Sequence, residues 1–211
     1  MKKIDIAEFI KLLQKQNSPQ SEFVKFTEKH GNPFWVLITC ILSLRTNDKT
    51  TYGAALRMLE LGKTPEDFAQ MDYEKLEKAI YPVGFYKNKA KQIIELSKRI
   101  VNDYRGNTPD TIEELTKFNG VGRKTANLVL AKGFNKPAIC VDVHVHRICN
   151  RWGYVQTKTP DETEMKLREI LPEKFWLDFN TLLVTHGQNI CKPTRPNCEN
   201  CLLKNLCNFC K

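Results

Sequence analysis

Apolar residues recur along this chain at spacings of three and four, and the strict alternation of a half-buried strand is almost absent, so the pattern predicts an all-α fold. The opening segment MKKIDIAEFIKLLQK sets Ile6, Phe9, Ile10 and Leu13 on one helical face. It predicts an amphipathic helix of the mature fold, because no apolar run there is long enough for a signal peptide or a membrane span. PFWVLITCILSL, from Pro33, is apolar on nearly every side and predicts a central, fully buried helix with proline in its first turn. Helices follow over Thr50–Leu61, Tyr73–Ile80 and Lys89–Val101, separated by GKTP and YPVGFYKN, whose prolines and glycines mark loops. A short helix over Thr111–Phe118 is entered through Pro109 and Asp110, and Arg123–Ala131 is helical beyond a pair of glycines. After a break at GFNKPA, the pattern predicts Asp142–Trp152, Pro160–Leu171 and Lys174–Gln188. The remaining tail has too few apolar residues to fold unaided.

Composition narrows the class of protein. With 41% hydrophobic and 27% charged residues, the chain has the make-up of a globular domain that folds by itself, not of a disordered or membrane protein. Lys and Arg number 33 against 24 Asp and Glu, a formal net charge of +9. Such an excess is unfavourable to keep unless something anionic binds it, and nucleic acid is the first candidate. A basic protein that is merely soluble is the alternative. Without a secretion signal the expected location is cytoplasmic, and eight cysteines in a reducing compartment point to a metal site rather than a disulfide framework.

Cys191, Cys198, Cys201 and Cys207 stand at intervals of six, two and five residues. Cys198, Cys201, Cys207 and Cys210 form a rival set of two CxxC pairs, as in four-thiolate zinc sites. The spacer between those pairs is far shorter than zinc sites use, and a cluster of iron and sulfide, being wider than one ion, accommodates a long interval beside two short ones. Both metals stay open on spacing alone. Cys40, Cys140 and Cys149 lie in apolar surroundings and are expected in the core.

FNGVGRKTANLVLAK, Phe118–Lys132, places Gly120 and Gly122 between two helices. No strand leads in, a non-glycine residue precedes the lysine, and Thr125 stands at the third position of a dinucleotide fingerprint, so neither a nucleotide-hydrolysis loop nor a dinucleotide site fits. What remains is helix, tight glycine turn, helix. The glycines permit positive φ and close backbone approach, and the amides opening the second helix point outward toward an anion such as a DNA phosphate. A turn that merely joins two packed helices is the alternative. Lys124 falls in the first turn, where the positive end of the helix dipole and neighbouring Arg123 disfavour an ammonium. An amine that is neutral part of the time is a nucleophile for a sugar carbon, although a surface lysine binding phosphate has the same sequence. Asp142 opens VDVHVHRICNRWG as a helix N-cap. A metal site on Asp142, His144 and His146 is disfavoured, because residues two apart face different sides of a helix.

Taken together, FNGVGRKTANLVLAKGF, VDVHVHRICNRWG and the terminal cysteine spacing resemble the endonuclease III family of DNA glycosylases, over Phe34 to Cys207. The resemblance implies two helical domains, a six-helix barrel with the helix-hairpin-helix motif over 25–135 and an iron-sulfur domain over 1–24 and 136–211. It implies double-stranded DNA with damaged pyrimidines or abasic sites as partner, a monomer associated with the nucleoid, and a [4Fe-4S] cluster on Cys191, Cys198, Cys201 and Cys207, with Cys210 an extra. By the same resemblance Lys124 is the catalytic amine and Asp142 its partner. The implied chemistry is removal of an oxidised pyrimidine through a Schiff base, followed by β-elimination. Gly120, Gly122, Arg123 and His144 are implied to meet DNA, and a basic loop from Lys192 to Asn197, shaped by the cluster, is expected to lie against the phosphate backbone. In SLRTND, Arg45 stands where relatives usually have a glutamine that fills the gap of the flipped base, and in GFYKNKA, Phe85 stands at a leucine wedge, unless it is a core residue. His146 receives no role. The rival readings are a monofunctional mismatch glycosylase, against which Lys124 speaks, and a non-catalytic DNA-binding module.

Overall fold

The computed structural model describes residues 5–16, 25, 26 and 29–210, and every regular element among them is a helix. In chain order these are α1 (Ile6–Gln16), α2 (Pro33–Ser43), α3 (Asp48–Leu61), α4 (Pro65–Ala69), α5 (Tyr73–Ile80), α6 (Tyr86–Tyr104), α7 (Ile112–Leu115), α8 (Arg123–Leu128), α9 (Val143–Trp152), α10 (Pro160–Ile170) and α11 (Trp176–Asn189). The chain divides into two compact units, residues 21–136 and residues 1–20 with 137–211. No helix among the described residues is long and apolar enough to cross a membrane.

The first unit is built around α2. Its entry is fixed by Asn32, whose side chain accepts from Trp35 N, with Pro33 at the first position, where a missing N–H costs nothing. From Phe34 to Leu42 every residue is buried, so the helix is surrounded rather than laid on a surface. Phe68 of α4 packs edge-on against Trp35, and Trp35 Nε1 donates to Lys63 O at 3.0 Å. Helix α4 follows directly on a segment whose proline and glycine predict only a loop. Its start is a capping box in which Thr64 and Asp67 satisfy each other's backbone amides, a local signal strong enough to form a helix directly after GKTP.

Helix α6 begins three residues before its predicted start, because Phe85 in the left-handed region turns the chain straight into it, and Arg105 in the same region ends it. The predicted helix Arg123–Ala131 divides into α8 and a π-helical turn, Val129–Gly133. That turn packs on α2: a Cβ on Gly133 would stand 2.7 Å from Pro33 Cα and 3.2 Å from Pro33 N.

In the second unit α1 lays Phe9, Ile10 and Leu13 into a core with Trp152 of α9, Leu167 of α10 and Phe179 and Leu183 of α11. The rings of Phe9 and Trp152 are stacked. Helix α11 is entered through one 3-10 turn, Glu173–Phe175, which replaces the first predicted turn. Cys40, Cys140 and Cys149 are all buried, and burial pushes the Cys40 thiol up to about 12 and Cys149 further in the same direction.

Gly133→Ala is expected to destabilise the protein by about 1–3 kcal/mol, since the atoms its methyl meets are backbone and cannot swing away. Thermal unfolding beside the parent measures it.

Candidate functional site

The glycine hairpin uses its two glycines for different purposes. Gly120 has φ +73, the left-handed conformation in which glycine alone is unstrained. Gly122 is the N-cap of α8 at φ −94, a region any residue adopts, and a Cβ there meets nothing within 4 Å. The expectation that both glycines serve positive φ therefore holds for Gly120 only. Gly122 supplies open space and a helix start with no capping side chain. Val121 between them is buried and pins the turn, with its amide donating to Phe118 O at 3.1 Å.

Two side chains of α6 with no signature in the sequence set the hairpin's position. Arg99 Nη1 donates to Lys117 O at 2.9 Å with its guanidinium centre 4.9 Å from the Phe118 ring. Gln92 Nε2 donates to Asn119 O, and it occupies the space a Cβ on Gly120 would need. Neither residue could be found from its neighbours, because each acts on a segment 18 or more positions away.

Arg123 and Lys124 are exposed in the first turn of α8. Lys124 is near enough to α2 for its charge to be felt at the Cys40 thiol, which it draws downward against the larger effect of burial.

On the other unit, Asp142 caps α9: Oδ1 accepts from His144 N at 2.8 Å and Val145 N at 2.9 Å. The cap thus commits one carboxylate oxygen. His144 Nδ1 lies 3.1 Å from Arg147 Nη2, and Arg147 also donates to Cys191 O at 2.8 Å. His146 has a structural role, since its Nδ1 pairs with Thr163 Oγ1 at 2.7 Å in a hydroxyl network with Thr157 and Asn150.

Arg45 and Phe85 stand together in the first unit, both exposed, with the guanidinium centre 5.7 Å from the ring centroid. Phe85 is 60% exposed, which rules out the core reading. Both are non-glycine residues in the left-handed region, at φ 54 and φ 58. Each such residue costs about 1–3 kcal/mol and persists only where its surroundings impose it.

Cys191, Cys198, Cys201, Cys207 and Cys210 line one cavity together with Phe9, Ile148 and Leu203. Burial pushes the Cys201 thiol up, and the charges of Cys207, Cys191 and Cys198 push it the same way, so with no cation beside it this thiol keeps its proton. The donor set is all sulfur, which suits iron-sulfur or zinc and no hard cation. Among the described residues no three His, Cys, Asp or Glu are arranged for a single metal ion. His186 beside the cavity, 3.8 Å from Cys201 Sγ, is held neutral by burial, which lowers it to about 4. Cys210 Sγ is 2.8 Å from Cys198 Sγ, so the extra cysteine stands at this cavity too. Arg151 donates to Cys191 Sγ at 3.4 Å, Lys192 O at 2.7 Å and Pro193 O at 2.6 Å, fixing the loop that exposes Lys192 and Arg195.

This geometry has close counterparts. Residues 38–173 match the HhH-GPD superfamily of base excision DNA repair proteins. Endonuclease III of Thermotoga maritima is 49% identical over 181 residues, 86% of this chain and 85% of that protein. Among solved structures, a non-covalent endonuclease III–DNA complex superposes with a TM-score of 0.78 at 36% identity, covering 84% of each chain. A trapped endonuclease III–DNA covalent intermediate with an estranged adenine superposes with a TM-score of 0.79 at 32% identity, covering 96% of this chain and 95% of that one. The chain belongs to the endonuclease III family of HhH-GPD base excision repair proteins, which are DNA glycosylases with abasic-site lyase activity.

Proposed function

We propose that this chain removes oxidised pyrimidines from duplex DNA and nicks the resulting abasic site, with Lys124 as the amine and Asp142 as its partner. The observation that carries the reading is Lys124 standing exposed in the first turn after the glycine hairpin, in a chain so similar to endonuclease III. A pyrimidine inside the duplex shields its own C1′, so the nucleotide is flipped out first. Lys124 Nζ then bonds to C1′ as the glycosidic bond breaks and the base leaves with a proton. Asp142 keeps one oxygen beyond its cap, able to oppose the developing positive charge on the sugar and to take a proton from the amine. Opening of the sugar gives the imine. Loss of a proton from C2′ then breaks the C3′–O bond, and the 3′ phosphate departs.

The hairpin amides with Gly120, Gly122 and Arg123 bind a phosphate in this reading, and His144 and Lys192 add backbone contacts. Arg45 and Phe85 enter the base stack. The donors of the thiol cavity fit a [4Fe-4S] cluster on Cys191, Cys198, Cys201 and Cys207, which when bound cross-links a tail that lacks a core of its own.

Borohydride reduction on a duplex with one abasic site is expected to trap the parent covalently and to trap nothing with Lys124→Ala. An untrapped parent leaves a monofunctional glycosylase or a binding module. Asp142→Asn, whose amide oxygen still caps α9, is expected to keep the parent's melting temperature and lose activity by about 10²–10⁴-fold. An equal loss of both would make Asp142 a cap only.

Gly120→Ala is expected to lower stability by more than about 1 kcal/mol through its positive φ. Gly122→Ala is expected to leave stability unchanged and weaken duplex affinity, because its methyl occupies the open side of the turn. Thermal melting and DNA titration separate the two. For the tail, iron and acid-labile sulfide in equal amounts with visible charge-transfer absorption are expected in anaerobically purified protein. The colour is expected to survive Cys210→Ser and to vanish with Cys191→Ser. The reverse pair of results would identify the two CxxC pairs as the ligands.

A further inference from the structure

Lys89 is 5% exposed in the first turn of α6, and its partners are neutral oxygens. The ammonium donates to Leu42 O at 2.8 Å, Leu44 O at 2.5 Å and Thr46 Oγ1 at 3.3 Å. Burial lowers it to about 8, as expected of a cation taken out of water with no anion beside it. A start of a helix is also an unfavourable place for a cation. Lys89 is nevertheless well placed for another helix, because Leu42 and Leu44 are at the carbonyl end of α2.

Leu44 and Thr46 flank Arg45, Leu42 is in the last turn of α2 that leads to it, and Lys89 itself follows Phe85 by one helical turn, with its amide donating to Phe85 O at 3.0 Å. Two further contacts tie the same segments. Gly84 N donates to Thr46 Oγ1 at 3.1 Å, and a Cβ on Gly84 would stand 2.8 Å from Arg45 O, so only glycine lets the two backbones meet. Beneath the exposed Arg45 and Phe85 there is therefore one clamp joining two turns far apart in sequence. Packing for stability alone does not call for two strained, solvent-facing residues held side by side, whereas a ligand-engaging element does.

We propose that Lys89 is a positioning residue that presents Arg45 and Phe85 as one preassembled element for the base stack and thereby sets the preferred base opposite the lesion. The proposal rests on the base-stack reading of Arg45 and Phe85 given above. A guanidinium only donates, so a held Arg45 matches the O6 acceptor of an orphaned guanine better than adenine, which presents the N6 donor at the same position. Once the clamp is loosened, the fork can turn and the distinction fades.

The test uses duplexes with a non-cleavable abasic analogue opposite guanine or adenine, and a third with 2-aminopurine opposite, whose fluorescence reports unstacking. The parent is expected to favour guanine by about tenfold. Lys89→Met is expected to bind both duplexes nearly equally and to lose most of the fluorescence change, while still forming the borohydride adduct at saturating abasic DNA. Lys89→Arg, which keeps a cation for the same carbonyls, is expected to restore both signals in part. A parent without guanine preference, or a Lys89→Met protein with the parent's preference and fluorescence, overturns the proposal. If circular dichroism shows Lys89→Met unfolded, Thr46→Val decides by the same two readouts, since it removes the hydroxyl shared by Lys89 and Gly84. The fluorescence arm needs no catalysis. A parent that inserts but forms no adduct would therefore refute the lyase reading and leave this proposal standing.

Discussion

A helix buried on every side must have both of its ends satisfied from within the protein, and α2 imposes that constraint on the whole of residues 21–136. Along its length the intrahelical bonds suffice, but its first amides and last carbonyls have no partner of their own. Asn32 and Pro33 solve the first end locally. At the second end Ser43 Oγ donates back to Cys40 O at 2.9 Å, and Lys89 supplies Leu42 and Leu44 from another helix. The geometry of the Arg45 turn is thus a consequence of terminating a core helix. Gly133 follows from the same constraint at the opposite end, where the π turn comes so close to Pro33 that no side chain fits. Helix α8, and with it Lys124, leads directly into that turn.

The elements that were legible in the sequence are those specified by short-range chemistry. The all-apolar run from Pro33, the face of Ile6, Phe9, Ile10 and Leu13, and the N-cap at Asp142 each depend on neighbours within one or two turns. The capping box at Thr64 was equally local, and it was hidden only by the Pro and Gly around it. Lys89, Gln92 and Arg99 were illegible for a different reason. On α6 they read as an ordinary polar face, and their meaning lies in the carbonyls of segments that only the tertiary fold brings near. Phe85 and Arg45 show the same limit. Nothing in their residue types favours the left-handed region, so their conformation could come only from contacts made across the fold.

The tail illustrates a case in between. Spacing identified the cysteines as a set without choosing among five, and the structure places all five on one cavity. Physical chemistry adds that this set cannot be at rest as thiolates alone: desolvation and mutual repulsion act in the same direction at Cys201. A cluster held there, as proposed above, is part of the fold in energetic terms, in a region where Leu203 is the buried side chain of the segment after Cys201.

Net charge, finally, misstates how much of this protein's basicity is available to DNA. Several of its cations serve carbonyls at the ends of helices, where the dipole favours positive charge. Lys89 does so for α2, and Arg57 for α5 through Ala79 O and Tyr81 O at 2.6 Å each. Arg99 serves Lys117 O just beyond α7, and Arg147 serves Gly187 O and Cys191 O at the end of α11. Arg151 does the same for the Lys192 loop. A cation bound to a carbonyl keeps its charge but not its freedom to follow a phosphate, so a formal excess of +9 does not translate into nine phosphate contacts. Under the proposed function the salt dependence of duplex binding reflects a smaller exposed group that includes Arg45, Lys192 and Arg195. Under the proposed function the carbonyl-bound cations act on DNA indirectly, by fixing turns and loops of the fold.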